Sequence, residues 1–174
     1  AVSNLSSTRA LSDVTVKYGG KYFASAVGEV NVVEKMKEKS AVIGGEGNGG
    51  IIFPALHYGR DALVGIALFL TYLSEKDLAI SKLRSTYTNY FISKNKIQLT
   101  NSTDISSIIS ELAKKYNKEK INLVDGLKID FDEGWIHLRK SNTEPIIRIY
   151  SESLSKEKAD NLASMFIKEI KSLT

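Results

Sequence analysis

Two short segments carry side chains whose types and spacing could do chemistry. The first runs from Gly44 to Gly50, Gly-Gly-Glu-Gly-Asn-Gly-Gly, between Ala41-Val42-Ile43 and Ile51-Ile52-Phe53. Gly45, Gly47 and Gly50 satisfy the spacing G-x-G-x-x-G. A dinucleotide loop, however, opens directly into a helix whose N-terminus meets the pyrophosphate. Here two β-branched residues, an aromatic and Pro54 follow, and Glu46 would repel a phosphate. Glycines also let a ligand come close to the backbone. A carboxylate that only accepts, Glu46, beside an amide that donates and accepts, Asn48, suits neighbouring sugar hydroxyls. The same residues also describe a wide hairpin turn, with Asn48 in the left-handed region and Glu46 solvated.

The second segment is Arg139-Lys140-Ser141-Asn142-Thr143-Glu144-Pro145-Ile146-Ile147-Arg148. It links two extended stretches, and strand alternation puts Arg148 on the face shared by Ile146 and Tyr150. If the strands are antiparallel neighbours, Arg139 and Arg148 stand side by side at the mouth of the loop. Two guanidinium forks, two hydroxyls, an amide and loop N–H groups then converge, a set that matches a tetrahedral dianion. The competing reading pairs each Arg with a surface acid such as Glu144 or Glu152, for little gain.

Elements that position these loops are legible from hydrophobic period and caps. Ser7–Tyr18 reads as a helix stopped by Gly19-Gly20, Tyr22–Ala24 as a strand, and Asn31–Lys39 as a helix. Ala41–Ile43 and Ile51–Phe53 read as strands on either side of the glycine loop. Arg60–Lys76 is the strongest helix, with Leu63, Ile66, Ala67, Leu70 and Leu73 as the stripe expected to face the core. The pattern changes around Glu75–Ser85, which places a domain boundary there, giving domains 1–78 and 79–174. Tyr87–Leu99 reads as extended, Asp104 as the cap of a helix, and Asp125-Gly126 and Asp132-Glu133-Gly134 as hairpin turns. Ile146–Tyr150 is a further strand, and Ser155 starts the last helix. The alternation predicts a three-layer α/β domain followed by a smaller α+β domain, an antiparallel sheet with helices on one face.

Bulk properties narrow the function class. The 174 residues are 43% hydrophobic and 25% charged, ordinary for a globular protein. The net charge of +4 is spread among acids rather than blocked into a patch, which argues against a nucleic-acid footprint. A single-strand binder using Tyr87, Tyr90 and Phe91 would lack clustered cations. There is no cysteine, so disulfides, thiolate catalysis and cysteine metal sites are excluded. Two histidines, His57 and His137, give little basis for a zinc site. The longest apolar run, near Leu63–Leu70, is too short to span a bilayer, and a cytoplasmic location is the expectation. The opening Ala1-Val2-Ser3-Asn4 is expected to be either a cut inside a larger protein or the result of processing.

Taken together, VGEVNVVEKM, GGEGNGGIIFP and RKSNTEPIIRIY resemble the α-D-phosphohexomutases, the superfamily of phosphoglucomutases, phosphomannomutases and phosphoglucosamine mutases, with the EGNGG spelling most like archaeal-type members. The match runs in order along essentially the whole chain, which looks like the third and fourth of four domains. The resemblance implies that Glu46, Gly47, Asn48 and Gly49 form a sugar-recognition loop. It implies a phosphate-binding loop of Arg139, Ser141, Asn142, Thr143 and Arg148. It implies transfer of a phosphoryl group between hexose 1- and 6-positions through a hexose 1,6-bisphosphate, with Mg2+ as cofactor and the N-terminal domains as partners. The family's phosphoserine motif, Thr-Ala-Ser-His-Asn-Pro-like, and its metal loop, Asp-Gly-Asp-x-Asp-Arg-like, have no match here. Asp125-Gly126 and Asp130-Phe131-Asp132 do not reproduce the latter. No catalytic residue and no metal ligand are therefore expected in this chain, which alone should be inactive. His57 could reach the substrate or carry a proton, or could satisfy a carbonyl of its own loop while Asp61 caps the following helix. His137 reads as structural. The alternative function is a non-catalytic sugar-phosphate binding module.

Overall fold

A computed structural model of the chain describes residues 1–98, 104–141 and 144–173. The chain divides into two compact units, Ala1–Asn89 and Tyr90–Thr174. The change of pattern at 78/79 therefore marks the end of a long helix, and α4 (Ile80–Ser85) still belongs to the first unit.

The first unit is built on a five-stranded mixed sheet of order β2-β1-β3-β4-β5. Its strands are β1 (Val2–Asn4), β2 (Phe23–Ser25), β3 (Gly44–Gly45), β4 (Ile51–Phe53) and β5 (His57–Arg60). β1 runs parallel to β2 and β3, while β3-β4-β5 is antiparallel. Val2–Asn4 and residues 57–59, which the sequence pattern assigns to no element, are thus in strands, and Arg60, expected to open the long helix, ends β5 instead. Three or four residues are too few to display alternation, and β1 is buried along its whole length.

α1 (Arg9–Lys17) is capped by Thr8 and stopped by Gly19 at φ +73°. α2 (Glu29–Glu38) closes one sheet face over Val2, Val32, Met36, Ala41 and Ile52. The strand expected at Ala41–Ile43 falls instead at Gly44–Gly45, with Val42 exposed. A Cβ on Gly44 would overlap the Met36 side chain, so glycine lets the chain enter the sheet beneath α2 without displacing that thioether.

α3 (Ala62–Lys76) lies over the opposite face, where a Cβ on Gly65 would stand 3.0 Å from Ile51. Asp61 caps it, accepting from the Val64 N–H at 3.0 Å. The expectation that Leu63, Ile66, Ala67 and Leu70 face the core fails. Leu63 is 78% exposed and Ile66 and Leu70 54% each, whereas half-buried Val64, Gly65, Tyr72 and Leu73 face inward. Leu73 is the one member of the expected stripe that does so. Ala62–Ser74 has no charge to mark an outer side, so the sequence could not say which side meets the sheet.

The second unit follows its sequence pattern closely. β6 (Phe91–Gln98), β7 (Lys120–Asn122), β8 (Leu127–Phe131), β9 (Gly134–Lys140) and β10 (Ile146–Ser153) form an antiparallel sheet of order β6-β10-β9-β8-β7. α5 (Ile105–Lys115), capped by Asp104, and α6 (Lys156–Ser172), capped by Ser155, pack on one face. Ile108, Leu112, Phe166 and Ile170 from the helices meet Leu127, Ile129, Ile136, Leu138, Ile147 and Ile149 from the strands. Burying such side chains contributes roughly 1.5–3 kcal/mol each, which makes this sheet a rigid base for the loop joining β9 to β10.

Candidate functional site

In the first unit the glycine loop is the β3–β4 connection, and hydrogen bonds from three directions shape it. The Glu46 N–H donates to the Gly50 carbonyl and the Gly49 N–H to the Glu46 carbonyl, both at 3.1 Å. A Cβ on Gly45 would overlap the Gly50 carbonyl, so glycine is required where the two sides meet. Gly49 takes the left-handed conformation, φ +92°, that the sequence reading gave to Asn48. Gly47, Asn48 and Gly49 are exposed.

Glu46 is not merely solvated. Its Oε1 accepts from the Asn4 amide at 2.9 Å and from the Gly28 N–H at 3.1 Å. This explains why the VGEVNVVEKM segment accompanies the loop. Gly28, at φ +121°, turns its N–H onto Glu46, while Glu29 holds Arg60 through Nε at 2.8 Å and through its N–H at 3.1 Å. Glu46 Oε2 has only a long contact, 3.5 Å, with the Asn48 amide, whose oxygen accepts from the Gly50 N–H at 3.1 Å. One carboxylate oxygen is therefore an anchor, and the other retains acceptor capacity beside three exposed loop residues.

His57 sits on β5 at the far end of the next hairpin. Its Nδ1 accepts from the Gly59 N–H at 3.0 Å, so Nε2 carries the proton donated to Asp61 at 3.1 Å. It serves an N–H of its own loop rather than a carbonyl. Asp61, which also caps α3, is held below the ordinary carboxylate range by the Val64 N–H and then by the His57 hydrogen bond.

In the second unit Arg139 on β9 and Arg148 on β10 are direct cross-strand partners. Directly opposed residues of an antiparallel pair project to the same face, with Cα atoms about 4.5–5.5 Å apart. The sheet ladder itself therefore brings the two guanidiniums together. The Ser141 N–H donates to the Ile146 carbonyl at 3.0 Å and the Ile146 N–H to the Glu144 carbonyl at 2.8 Å, closing the base of the loop. Ser141 is buried. Asn142 and Thr143 lie outside the described residues.

Arg148 donates through Nη2 to Glu144 at 3.2 Å, which is the acid pairing weighed against anion binding. Arg139 differs: its Nε is buried without a hydrogen-bond partner among the described residues. On its other side Arg148 faces Lys96 of β6, giving a basic row Lys96–Arg148–Arg139 across three strands. Lys96 escaped the sequence reading because its strand is remote in the chain. Only the β6–β10 register reveals it.

His137 lies two residues before Arg139, opposite Tyr150 and Lys128. Its Nε2–H donates to the Asp125 carbonyl at 2.7 Å. Burial pushes its pKa down to about 4, with the cations Lys128 and Arg139 adding to the effect, so the imidazole is neutral and structural.

Residues 1–90 match the phosphoglucomutase/phosphomannomutase alpha/beta/alpha domain III, and residues 96–169 match the C-terminal domain of the same proteins. The chain belongs to the phosphoglucomutase/phosphomannomutase family. A phosphoglucomutase/phosphomannomutase of Thermococcus kodakarensis is 35% identical over 169 residues, covering 96% of this chain and 37% of that protein. The chain thus spans little more than a third of that relative. Among solved structures, a phosphoglucomutase/phosphomannomutase family protein of Burkholderia thailandensis shares the fold with a TM-score of 0.79 at 24% identity, over 98% of this chain and 37% of its own. The Aspergillus fumigatus N-acetylphosphoglucosamine mutase, solved with GlcNAc-6P and magnesium, gives 0.67 at 16% identity, over 97% and 40%.

That magnesium raises the question whether residues here could hold one. Among the described residues no group of three or more His, Cys, Asp or Glu side chains stands together as a metal site. Asp130 lies on β8 opposite Lys120 and Trp135, and Asp125 offers its carbonyl to His137. These residues do not fit a magnesium centre. No helix of the described residues is long and apolar enough to cross a membrane.

Proposed function

We propose that this chain is the substrate-holding part of a cytoplasmic phosphohexomutase that interconverts hexose 1-phosphate and hexose 6-phosphate. In this reading a phosphoserine outside the chain gives its phosphoryl group to the free hydroxyl of the hexose monophosphate. The serine O–P bond breaks as the new sugar O–P bond forms. The resulting 1,6-bisphosphate turns over and returns its other phosphoryl group to the serine. Magnesium and the serine both belong to the preceding domains. This chain orients: Glu46 Oε2 and the loop residues Gly47, Asn48 and Gly49 take the sugar hydroxyls. Arg139, Arg148, Ser141, Asn142 and Thr143 take the phosphate that is not reacting. Positioning and charge neutralisation are the main protein contributions to such transfers.

The observation that carries the proposal is the Arg139–Arg148 cross-strand pair, with a buried Arg139 Nε that has no partner among the described residues. A buried guanidinium donor without an acceptor costs free energy that a phosphate oxygen would recover. Glu144 is a weak competitor, because half-exposed ion pairs contribute about 0–1 kcal/mol, whereas each charge-assisted bond to a dianion contributes roughly 1.5–3 kcal/mol.

Calorimetric titration of the chain with glucose 6-phosphate, glucose and inorganic phosphate tests this. The phosphate ester should bind much more tightly than the free sugar and be displaced by inorganic phosphate. Equal affinity for ester and sugar, or no displacement, would end the phosphate assignment. Mutase turnover by the chain alone would contradict the division of labour.

A further inference from the structure

The Arg60–Glu29 ion pair stands against the glycine loop. Arg60 ends β5 directly opposite Ile52 of β4, and Gly50, two residues before Ile52, faces the same side. A Cβ on Gly50 would meet the Arg60 Cδ at 2.5 Å and the Asn48 Oδ1 at 3.3 Å. The Arg60 stem and the Asn48 amide therefore flank a single point over Gly50, in room that a glycine leaves open.

Glu29, in the first turn of α2, holds the arginine from the other side. Its Oε1 accepts from the Arg60 N–H at 3.1 Å and its Oε2 from the Arg60 Nε at 2.8 Å. Nη1 and Nη2 make no hydrogen bond among the described residues, and the side chain is 48% exposed. An ion pair this open to solvent adds little stability. Its consequence is positional. A guanidinium with backbone, stem and Nε already fixed loses little further freedom when its two outer groups take a ligand.

Donors and acceptors along the loop are then complementary. Glu46 Oε2, with only its long contact to the Asn48 amide, can only accept, and the Arg60 Nη groups can only donate. A ring hydroxyl does both. We propose that Arg60 is a further sugar-contacting residue that determines specificity, its Nη groups donating to a ring hydroxyl oxygen of the hexose phosphate, with Glu29 as its positioning residue. The proposal rests on the sugar-loop reading of Glu46 and Asn48. Arg139 and Arg148 lie in the other compact unit and are varied separately.

The test compares the chain with Arg60→Met, which keeps a stem over Gly50 and removes the fork. Each is titrated calorimetrically with glucose 6-phosphate, its 2-deoxy, 3-deoxy and 4-deoxy analogues, and inorganic phosphate. Arg60→Met should weaken glucose 6-phosphate about tenfold and leave inorganic phosphate unchanged. With one deoxy analogue the effect of Arg60→Met should vanish, because the oxygen that accepts from Arg60 is then missing. Glu29→Gln, which loosens the guanidinium, should give a smaller loss, about threefold, with the same dependence on the deoxy position. In the unsubstituted chain the Arg60 Nε–H resonance should shift with glucose 6-phosphate and not with inorganic phosphate, a measurement that does not depend on a variant's folding.

Unchanged glucose 6-phosphate affinity in Arg60→Met would overturn the proposal. So would an equal loss with all four esters, which would make Arg60 a prop of the loop. A matching loss with inorganic phosphate would also overturn it, because Arg60 would then be a general anion site. An unmoved Arg60 resonance at saturating glucose 6-phosphate would do the same. Arg148→Ala should weaken every ester and inorganic phosphate alike; no such loss, with the Arg60 dependence intact, would sink the phosphate assignment and not this one. If Glu46→Ala shows a dependence on the deoxy position and Arg60→Met shows none, Arg60 leaves the sugar loop and the loop reading stands.

Discussion

The glycine loop and the arginine loop hold their polar groups in opposite ways. The glycine loop is closed upon itself. Glu46 is fixed by Asn4 and Gly28, Asn48 folds back on Gly50, and one carboxylate oxygen keeps acceptor capacity. The arginine pair is positioned by a ladder with a hydrophobic base, and its polar atoms are left less satisfied, with Arg139 Nε lacking a partner among the described residues. A recognition group that must distinguish hydroxyl positions gains from rigidity in the loop itself. A group that must grip a dianion gains from leaving strong donors unspent.

The largest effect that would sharpen this contrast is acid sensitivity confined to the second unit. His137 has its folded pKa at about 4, against 6.5 for the free group, because it is buried neutral. Between those values the unfolded chain binds a proton that the folded unit does not, so stability falls as pH drops from about 6.5 toward 4. The loss reaches about 3 kcal/mol. His137→Gln should flatten this part of the pH profile of second-unit hydrogen exchange; an unchanged profile would mean that the imidazole is protonated in the fold.

Next comes Arg148→Ala, which should weaken glucose 6-phosphate binding by roughly 1.5–3 kcal/mol, about ten- to a hundredfold, with free glucose hardly affected. Titration calorimetry reads both. A uniform loss would erase the difference between the loops.

Glu46→Ala strands the Gly28 N–H and the Asn4 amide, lowering first-unit stability by roughly 1–2 kcal/mol. It should also reduce discrimination among hexose epimers while inorganic phosphate still competes. Asn48→Ala should cost much less stability, and comparing the two by thermal melts isolates the anchoring oxygen. The smallest change is Glu144→Gln. Releasing Arg148 from its half-exposed acid should tighten inorganic phosphate binding by about 0.2–1 kcal/mol. Weaker binding would mean that Glu144 orients Arg148 instead of competing for it.

Legibility in the sequence follows the same divide. In the second unit, Asp104, Ser155 and the turn before Gly134 announce themselves through local chemistry, and alternation along long strands fixes which residues share a face. The opposition of Arg139 and Arg148 could be anticipated because a single loop separates them. Lys96 could not, since its place depends on a pairing between distant segments.

The first unit was harder to read. β1 and β3 are three and two residues long and owe their place to neighbours, with Gly44 lying against the Met36 side chain. The Arg60–Lys76 helix was visible as a helix, but its orientation was not, because apolar residues occupy every side. The glycine loop's chemistry was legible in kind, a carboxylate and an amide. The anchoring of Glu46 from Asn4 and Gly28, 42 and 18 residues away, was not.

Because Arg139 and Arg148 are rungs of one ladder, their separation is an interstrand spacing of about 4.8 Å and owes nothing to the length of the connection between them. Insertions or deletions in that connection should leave the cationic clamp at its original gauge, provided that the β9–β10 register survives. A one-residue slip would instead swing one guanidinium through the sheet into the hydrophobic layer beneath α5 and α6. That connection could therefore vary in length and sequence while the spacing of the two guanidiniums stays the same.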